Sequence, residues 1–449
     1  MLRKPVAEAS QGRSLSLSRC GARRASLPTA SIRSEVTLRE DIEREAREAR
    51  SALSALSDDA VSEALRHAAS LVSERRARVL RANAMDLERG AGDLDPGTLD
   101  RLRLDDARVD ALARQLRTMS EIPPLEREVD AWTLPNGLRV SERRIPIGTV
   151  GANFEARPNV ALDVAGQLLK SLNTAVLRTG SAALGTVTTL VDDVLRPALE
   201  AVGLPPGAVG LVRSADREGA RLLVSLPTLV PLVILRGSGE TTAALARLAA
   251  ENGVRTLAHA EGGGVLYVHG SASREKALAL ADASLDRLGV CNRLNLALVD
   301  REAADVVPAL LHLFAEKGVE VRGAVDGAEP LDRPLGHEWA SEPDRVSTVT
   351  LALVEDLEEA MRIANEETSG LAAGIVAEDE DAATRFLDGY RGTAAYWHAT
   401  TRFTDGFELT GAPETGINVD WAPGPRGPVT YRDLWLRQYR VVGDGTQAR

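Results

Sequence analysis

The chain has 449 residues and a formal net charge of −11, with 44% hydrophobic and 27% charged residues. This balance is typical of a soluble globular protein, and the length suffices for two or three domains. No run of about 18 apolar residues occurs, so no membrane-spanning helix is expected. The acidic composition argues against a general nucleic-acid-binding protein. Two cysteines, Cys20 and Cys291, cannot build a disulfide framework, so a reducing, cytoplasmic setting is expected.

The N-terminal 36 residues differ in charge from the rest of the chain. They hold seven Lys/Arg, two acids and seven serines, a net charge of +5 that leaves −16 on residues 37–449. An Arg- and Ser-rich, acid-poor leader resembles an organelle transit peptide. Its weak apolar periodicity also fits a start codon placed too far upstream or a disordered extension, and we predict a disordered basic leader over 1–36.

The rest of the chain shows two hydrophobic patterns, one after the other. From Leu38 to about Arg89, apolar residues recur at spacings of three and four, which predicts helices, with a start at Ser57. Another helix is predicted near 109–119 and an exposed strand at 138–144. Apolar runs then alternate with helical segments over 147–252 and again over 265–390, which indicates two α/β units with parallel sheets. The Gly- and Pro-rich stretch 404–430 is predicted to be largely loop.

Cys291 is the candidate nucleophile. It is the only cysteine outside the leader, and it lies between a predicted helix and an apolar strand, a junction at which α/β folds place functional sites. A thiolate there is a strong nucleophile. The alternative is a buried structural thiol, which is common for free cysteine. No metal site is suggested, because the six histidines are scattered.

Polar groups also follow several predicted strands. Glu155, Arg157 and Asn159 surround a helix start that would favour an anion. Arg178 and Ser181 follow the next strand, and Arg236-Gly237-Ser238-Gly239 follow another, in loops able to approach a nucleotide. Neither loop is a complete dinucleotide-binding fingerprint. A last cluster of hydroxyls and ionisable groups, residues 398–407, fits either a site or a satisfied polar turn.

Four segments in this order resemble the gamma-glutamyl phosphate reductase family, a branch of the aldehyde dehydrogenase superfamily. They are Phe154–Val160, Leu169–Arg178, Cys291-Asn292 and Thr401–Gly406. The resemblance implies an aldehyde dehydrogenase-like α/β fold with two Rossmann-like parallel-sheet domains and a small β oligomerisation arm. The implied units are an NADP-binding domain (37–124 and 146–255), a catalytic domain (256–395), and an arm with a C-terminal segment (125–145 and 396–449). A homodimer or homotetramer is implied as well.

The resemblance also implies a chemistry. Cys291 would attack an acyl phosphate to form a thioester, and NADPH would reduce the thioester to an aldehyde. Asn159 is a candidate oxyanion donor, and Arg157 and Arg402 are candidates for phosphate or carboxylate recognition. The implied substrate contacts are Glu155, Arg157, Asn292, Thr401 and Arg402. The implied cofactor contacts are Lys170, Arg178, Ser181, Arg236, Gly237, Ser238 and Gly239.

Four stretches depart from the family pattern and leave the substrate open. They are His398, Trp421–Gly427, Arg287–Val290 and Gly262–Val265. Two other interpretations therefore stand beside the reductase. One is an aldehyde-oxidising dehydrogenase in which Glu261 acts as the base. The other is a non-catalytic NADP-binding homologue.

Overall fold

The structure, a computed structural model, describes residues 29–94, 96–237, 239–259, 262–422 and 424–447. Cys20, most of the predicted leader, Ser238 and Glu261 lie outside these residues. No helix within these ranges is both long and apolar enough to cross a membrane. The same ranges contain no group of three or more His, Cys, Asp or Glu side chains that could hold a metal ion.

The N-terminal part is helical, as its spacing predicts. Its helices are α1 (Thr29–Ala52), α2 (Asp58–Glu74), α3 (Arg76–Gly90), α4 (Pro96–Leu102) and α5 (Asp106–Glu121). The Ser57 hydroxyl accepts from the Ala60 N–H and the Asp105 carboxylate from the Arg108 N–H, so both long helix starts are capped. Because α1 begins at Thr29, the predicted leader boundary at residue 37 falls inside a helix.

The first sheet has five parallel strands. The elements up to its end are β1 (Glu128–Thr133), β2 (Arg139–Pro146), β3 (Thr149–Phe154), α6 (Asn159–Lys170), β4 (Thr174–Thr179), α7 (Leu184–Leu190), α8 (Arg196–Ala201), β5 (Val209–Leu211), α9 (Arg217–Leu223), β6 (Leu232–Arg236), α10 (Gly239–Glu251) and β7 (Arg255–His259). The strand order is β5-β4-β3-β6-β7. Helices α2 and α5–α8 cover one face and α1, α9 and α10 the other, so the strands are apolar on both sides.

The second sheet has six parallel strands. Its elements are β8 (Gly264–Val268), α11 (Arg274–Ala283), β9 (Leu294–Asp300), α12 (Val307–Glu316), β10 (Glu320–Arg322), β11 (Thr348–Val354), α13 (Leu357–Glu366), β12 (Ala372–Val376), α14 (Glu380–Gly389) and β13 (Ala394–Trp397). The order is β10-β11-β9-β8-β12-β13. Helices again cover both faces.

Most of the stretch 404–430 is loop, as its Gly and Pro content predicts, and the C-terminal segment adds a few short regular elements. It holds α15 (Gly406–Thr410) and a ladder of β14 (Gly416–Asn418) with β15 (Gly427–Val429), and it ends in β16 (Trp435–Val442). Strand β16 pairs antiparallel with β2, which gives the arm sheet β1-β2-β16. Trp132 and Tyr439 meet edge to face on this sheet, with ring centroids 6.0 Å apart, and both are exposed.

The connection from β7 to β8 joins the carboxyl edge of the first sheet to the amino edge of the second. Strands β3, β4, β6 and β7 end at the carboxyl edge of the first sheet, and residues 262–263 lead directly into β8, at the amino edge of the second. Cys291 precedes β9 at this same amino edge. The chain segments that the sequence singled out therefore converge between the two sheets.

Candidate active site

The backbone around Cys291 is closely packed. The Gly263 N–H donates to the Cys291 carbonyl at 2.6 Å. A methyl group at Gly262 would lie 2.6 Å from Cys291 Cβ and 2.8 Å from a carboxylate oxygen of Glu338. Only glycine fits there, and Glu338 therefore lies beside the thiol-bearing residue. One of the four departures from the family pattern thus borders the nucleophile directly.

A network that we call the cysteine clamp, formed by Asp286, Asn292, Thr401 and Arg402, holds the Cys291 loop from behind. The buried Asn292 amide donates to the Arg402 carbonyl at 3.1 Å and to the Thr404 carbonyl at 3.0 Å. The Thr401 hydroxyl donates to the Asn292 carbonyl at 2.9 Å. The Arg402 guanidinium donates to Asp286 at 2.5 Å and to the Asn292 side-chain oxygen. The predicted substrate contacts Asn292, Thr401 and Arg402 are therefore engaged with each other and with Asp286.

The start of α6 forms the opposite wall of the site. Strand β3 ends at Phe154, and the chain turns through Ala156, whose φ of +40° is rare for a residue other than glycine. Arg157 and then Asn159, the first residue of α6, follow this turn. The Asn159 amide donates to the Asp163 carboxylate one turn further on, at 3.0 Å. A helix start with an adjacent arginine favours an anionic ligand.

Arg157 and Arg236 lie close together without a partner. Burial lowers the pKa of Arg157 to about 10, and the positive charge of Arg236 is the next largest cause. Within the part of the chain that the structure describes, neither guanidinium makes a hydrogen bond or an ion pair. Two cations held together in this way favour a bound anion, because the anion relieves their repulsion.

The thiol sits among charges of both signs. Burial raises the pKa of Cys291 to about 12, the Glu338 and Glu414 carboxylates raise it further, and Arg157 and Arg236 oppose the rise. The thiol is consequently protonated at neutral pH in this arrangement. Nucleophilic attack by Cys291 therefore requires a group that accepts its proton.

His259 adds a neutral donor to the site. The Ile417 N–H donates to its Nδ1 at 2.9 Å, which leaves the proton on Nε2. Burial lowers the pKa of His259 to about 3, and Arg236 and Arg157 lower it as well. The ring therefore stays uncharged across the physiological range, with its Nε2–H available as a donor.

The predicted cofactor residues fall into two groups. Ser181 is exposed just after β4, and Gly180 has open space where a side chain would be. Gly237 comes directly after β6 and packs against Glu155. A methyl group at Gly237 would lie 3.1 Å from the Glu155 carboxylate carbon. Gly239 begins α10 nearby. These positions lie together at the carboxyl edge of the first sheet.

Arg178 and Lys170 are engaged within the protein. The buried Arg178 guanidinium donates to the Asn153 side chain at 3.1 Å and to the Asp216 carbonyl at 2.9 Å. Lys170, at the far end of α6, donates to the Ser62 hydroxyl at 3.1 Å and to the Ile122 carbonyl at 2.7 Å. The structure does not bring Lys170 together with the other predicted site residues.

Five groups at the site were not predicted from the sequence: Asp163, His259, Asp286, Glu338 and Glu414. Asp163 could have been found, because it follows Asn159 by four residues on one helix and is a carboxylate in an apolar helical pattern. Glu338 and Glu414 stand in loops, and no local pattern marks them. Their proximity to Cys291 arises from the docking of distant segments.

Comparisons with known proteins identify the family of the chain. The family model described as "Aldehyde dehydrogenase family" matches residues 33–319. The chain is 35% identical over 402 residues to a gamma-glutamyl phosphate reductase of Kineococcus radiotolerans, covering 87% of this chain and 92% of that one. It is 31% identical over 414 residues to the one of Nautilia profundicola, covering 90% and 99%. The chain belongs to the gamma-glutamyl phosphate reductases of the aldehyde dehydrogenase family.

A solved structure extends the likeness to the fold. The crystal structure of the gamma-glutamyl phosphate reductase from Thermotoga maritima matches with a TM-score of 0.85 at 28% identity, over 91% of this chain and 100% of that one. The predicted family, the aldehyde dehydrogenase-like α/β fold and the assignment as an oxidoreductase enzyme are confirmed.

Proposed function

We propose that this enzyme reduces an acyl phosphate of the gamma-glutamyl type to the corresponding aldehyde through a thioester on Cys291. The observation that carries the proposal is the pair of unpartnered arginines, Arg157 and Arg236, beside the thiol. In an acyl phosphate, the phosphate group is bonded to the carbonyl carbon that the thiol attacks, so the phosphate must lie near the thiol. Two guanidinium groups bind phosphate well because each offers parallel N–H donors.

In the first half of the reaction, Glu338 accepts the proton of the Cys291 thiol. The sulfur forms a bond to the acyl carbon, the bond between that carbon and the phosphate oxygen breaks, and inorganic phosphate leaves between Arg157 and Arg236. The negative charge on the carbonyl oxygen is stabilised by neutral N–H donors, for which the Asn159 amide and the His259 Nε2–H are the candidates.

We further propose that the carboxyl edge of the first sheet binds the nicotinamide cofactor. The open space at Gly180 and the exposed Ser181 leave room for a dinucleotide, and Gly237 and Gly239 add no side chain of their own to this edge of the sheet. A bound nicotinamide cofactor would supply the hydride that reduces the thioester to a hemithioacetal. Breakage of the carbon–sulfur bond then releases the aldehyde and leaves Cys291 as a thiolate, which takes its proton back from Glu338. We propose NADPH as the form used.

The arm sheet supports a homodimer or homotetramer. Strands β1 and β16 form its two edges, and Trp132, Leu436, Tyr439 and Val441 are exposed on it. Such an apolar antiparallel arm is suited to pairing with a second copy.

Phosphate dependence tests the function. Glutamate 5-semialdehyde and NADP⁺ are supplied with and without inorganic phosphate, and nucleotide reduction is followed by absorbance, with Cys291→Ala as the control. We expect turnover only with phosphate, and a lower rate with NAD⁺. Turnover that ignores phosphate would instead support the aldehyde-oxidising alternative, and nucleotide binding without turnover on any aldehyde of a panel would support the non-catalytic one.

A further inference from the structure

A buried carboxylate stands behind the proposed oxyanion donor. Asp163 is 7% exposed, and its Oδ2 accepts the Asn159 amide N–H at 3.0 Å. The other oxygen, Oδ1, is buried without a hydrogen-bond partner among the described residues. Burial of a carboxylate that accepts only one hydrogen bond lowers the free energy of unfolding. Its neighbours along α6, such as Leu162 and Val164, are apolar core residues, so packing alone does not explain it.

Asp163 belongs electrostatically to the active site. The charges that act on it are Arg236, from the end of β6, and Glu414, from the segment before β14. These two side chains also act on the Cys291 thiol. Asp163 and Cys291 thus experience the same two charges, and Asn159, the first residue of α6, is half-buried.

An asparagine amide presents two N–H donors on one side and an acceptor on the other, and without a fixed neighbour either side can turn toward a ligand. A carboxylate that accepts one N–H decides the orientation, because a flipped amide would set its oxygen against the carboxylate. The second N–H is then left for the ligand.

We propose that Asp163 is a positioning residue that fixes the Asn159 amide with its donor side toward the reacting carbonyl oxygen. The role rests on the function proposed above, since it assumes that Asn159 stabilises the oxyanion. It adds a residue that acts through Asn159 and that the resemblance did not identify.

The proposal predicts a dependence on pH as well. Burial raises the pKa of Asp163 to about 7; Glu414 contributes to the rise, and Arg236 and the Asn159 hydrogen bond oppose it. Below that pH, the neutral acid holds the Asn159 N–H by a weaker hydrogen bond than the charge-assisted one that the carboxylate makes. We expect kcat to fall on the acid side of neutrality, and this limb to disappear in Asp163→Asn, which does not titrate.

A set of variants tests the role. Asp163→Asn keeps an acceptor oxygen for Asn159, Asp163→Leu removes it, and Leu162→Ala on the same helix is the control for lost packing. We expect Asp163→Leu to lower kcat about 10- to 100-fold with little change in KM, Asp163→Asn to retain most of kcat, and Leu162→Ala to lower only stability. A loss in Asp163→Asn equal to that in Asp163→Leu would overturn the positioning role.

The double variant separates action through Asn159 from a general effect. If Asp163 acts through Asn159, Asn159→Ala combined with Asp163→Leu is no slower than Asn159→Ala alone. If the losses in kcat of the two single variants multiply in the double variant, the proposal is contradicted.

Crystal structures give a readout that needs no turnover. We expect Asn159 to keep its side-chain orientation in Asp163→Asn and to change it in Asp163→Leu, and an unchanged Asn159 in Asp163→Leu would refute the role. Absence of phosphate-dependent turnover in the unmodified protein would refute the proposed function instead, so the two failures are distinct.

Discussion

Arginines on the two sides of Cys291 lie in opposite settings. Behind the nucleophile, Arg402 is bonded to Asp286 and Asn292 in the cysteine clamp. Arg157, just after β3, and Arg236, at the end of β6, repel each other and have no hydrogen-bond or ion-pair partner within the described residues. An arginine whose N–H donors are bonded to protein groups stabilises the structure, whereas an arginine with free donors is available to bind a ligand. Only the hydrogen-bond partners distinguish the two cases.

Removal of the thiol between these two settings should have the largest effect. We expect Cys291→Ala to lower kcat/KM by about 10⁴-fold or more, because the proposed thioester cannot form without the thiol. The melting temperature should change little, since the substitution removes a single sulfur atom from a free cysteine. Phosphate-dependent nucleotide reduction measures the first quantity and calorimetry the second. Activity that survives the substitution would disprove the thioester route.

The unpartnered arginines should control phosphate affinity. We expect Arg157→Met and Arg236→Met each to raise the KM for phosphate in the reverse reaction about 10- to 100-fold, because each removes a charge-assisted contact of about 1.5–3 kcal/mol. Stability should not fall, since each substitution also relieves repulsion between like charges. The matched control is Arg213→Met, whose guanidinium is bonded to Asp192 at 2.7 and 2.8 Å. An unchanged KM in both variants would remove the basis of the proposed function.

The clamp should show the reverse pattern. We expect Asn292→Ala to lower the free energy of unfolding by about 1–3 kcal/mol, because two carbonyls lose the amide that bonds them. The KM for phosphate should stay close to that of the unmodified protein, while kcat falls as the Cys291 loop loosens. Urea unfolding and steady-state kinetics on one preparation provide both values. A large rise in KM with unchanged stability would return Asn292 to the substrate contacts predicted from the sequence.

Two buried groups in front of the thiol should change stability with pH in opposite directions. The pKa of His259 is lowered to about 3, so between there and about 6.5 the unfolded chain binds more protons and stability rises with pH. The pKa of Asp163 is raised to about 7, so between about 4 and 7 the folded chain binds more protons and stability falls with pH. Each contributes at most about 1.4 kcal/mol per pH unit, and they oppose each other in the shared range.

Single substitutions should expose each contribution. Relative to the unmodified protein, Asp163→Asn should make the unfolding free energy rise more steeply between pH 4.5 and 6.5. His259→Asn should lower the slope of the unfolding free energy over the same range. His312→Asn, at an exposed histidine, is the control and should leave the slope unchanged. Denaturant titrations at the two pH values measure the slopes. Equal slopes in all variants would mean that neither group titrates with a shifted pKa.

Much of the fold was predictable because it depends on local periodicity. Helical spacing predicts the first helices, and alternating strands and helices predict both parallel sheets. The segment 181–201 shows the limit: its apolar spacing predicts one helix, but the structure divides it into α7, a π-helical turn at 191–195 and α8. Periodicity at 3.6 residues does not detect one wider turn.

Local patterns and motifs were enough to identify the family, the parallel α/β architecture, and the position of Cys291, Arg157 and Asn159 at strand and helix ends. Which charged groups stay unpartnered depends on how distant segments pack together. Arg178, Lys170 and Arg402 find acceptors from distant segments, whereas Arg157 and Arg236 do not. Glu338 and Glu414 reach the thiol by the same docking of distant segments. These hydrogen bonds join residues 38, 48 and 116 positions apart in the chain, and local sequence patterns do not indicate such contacts.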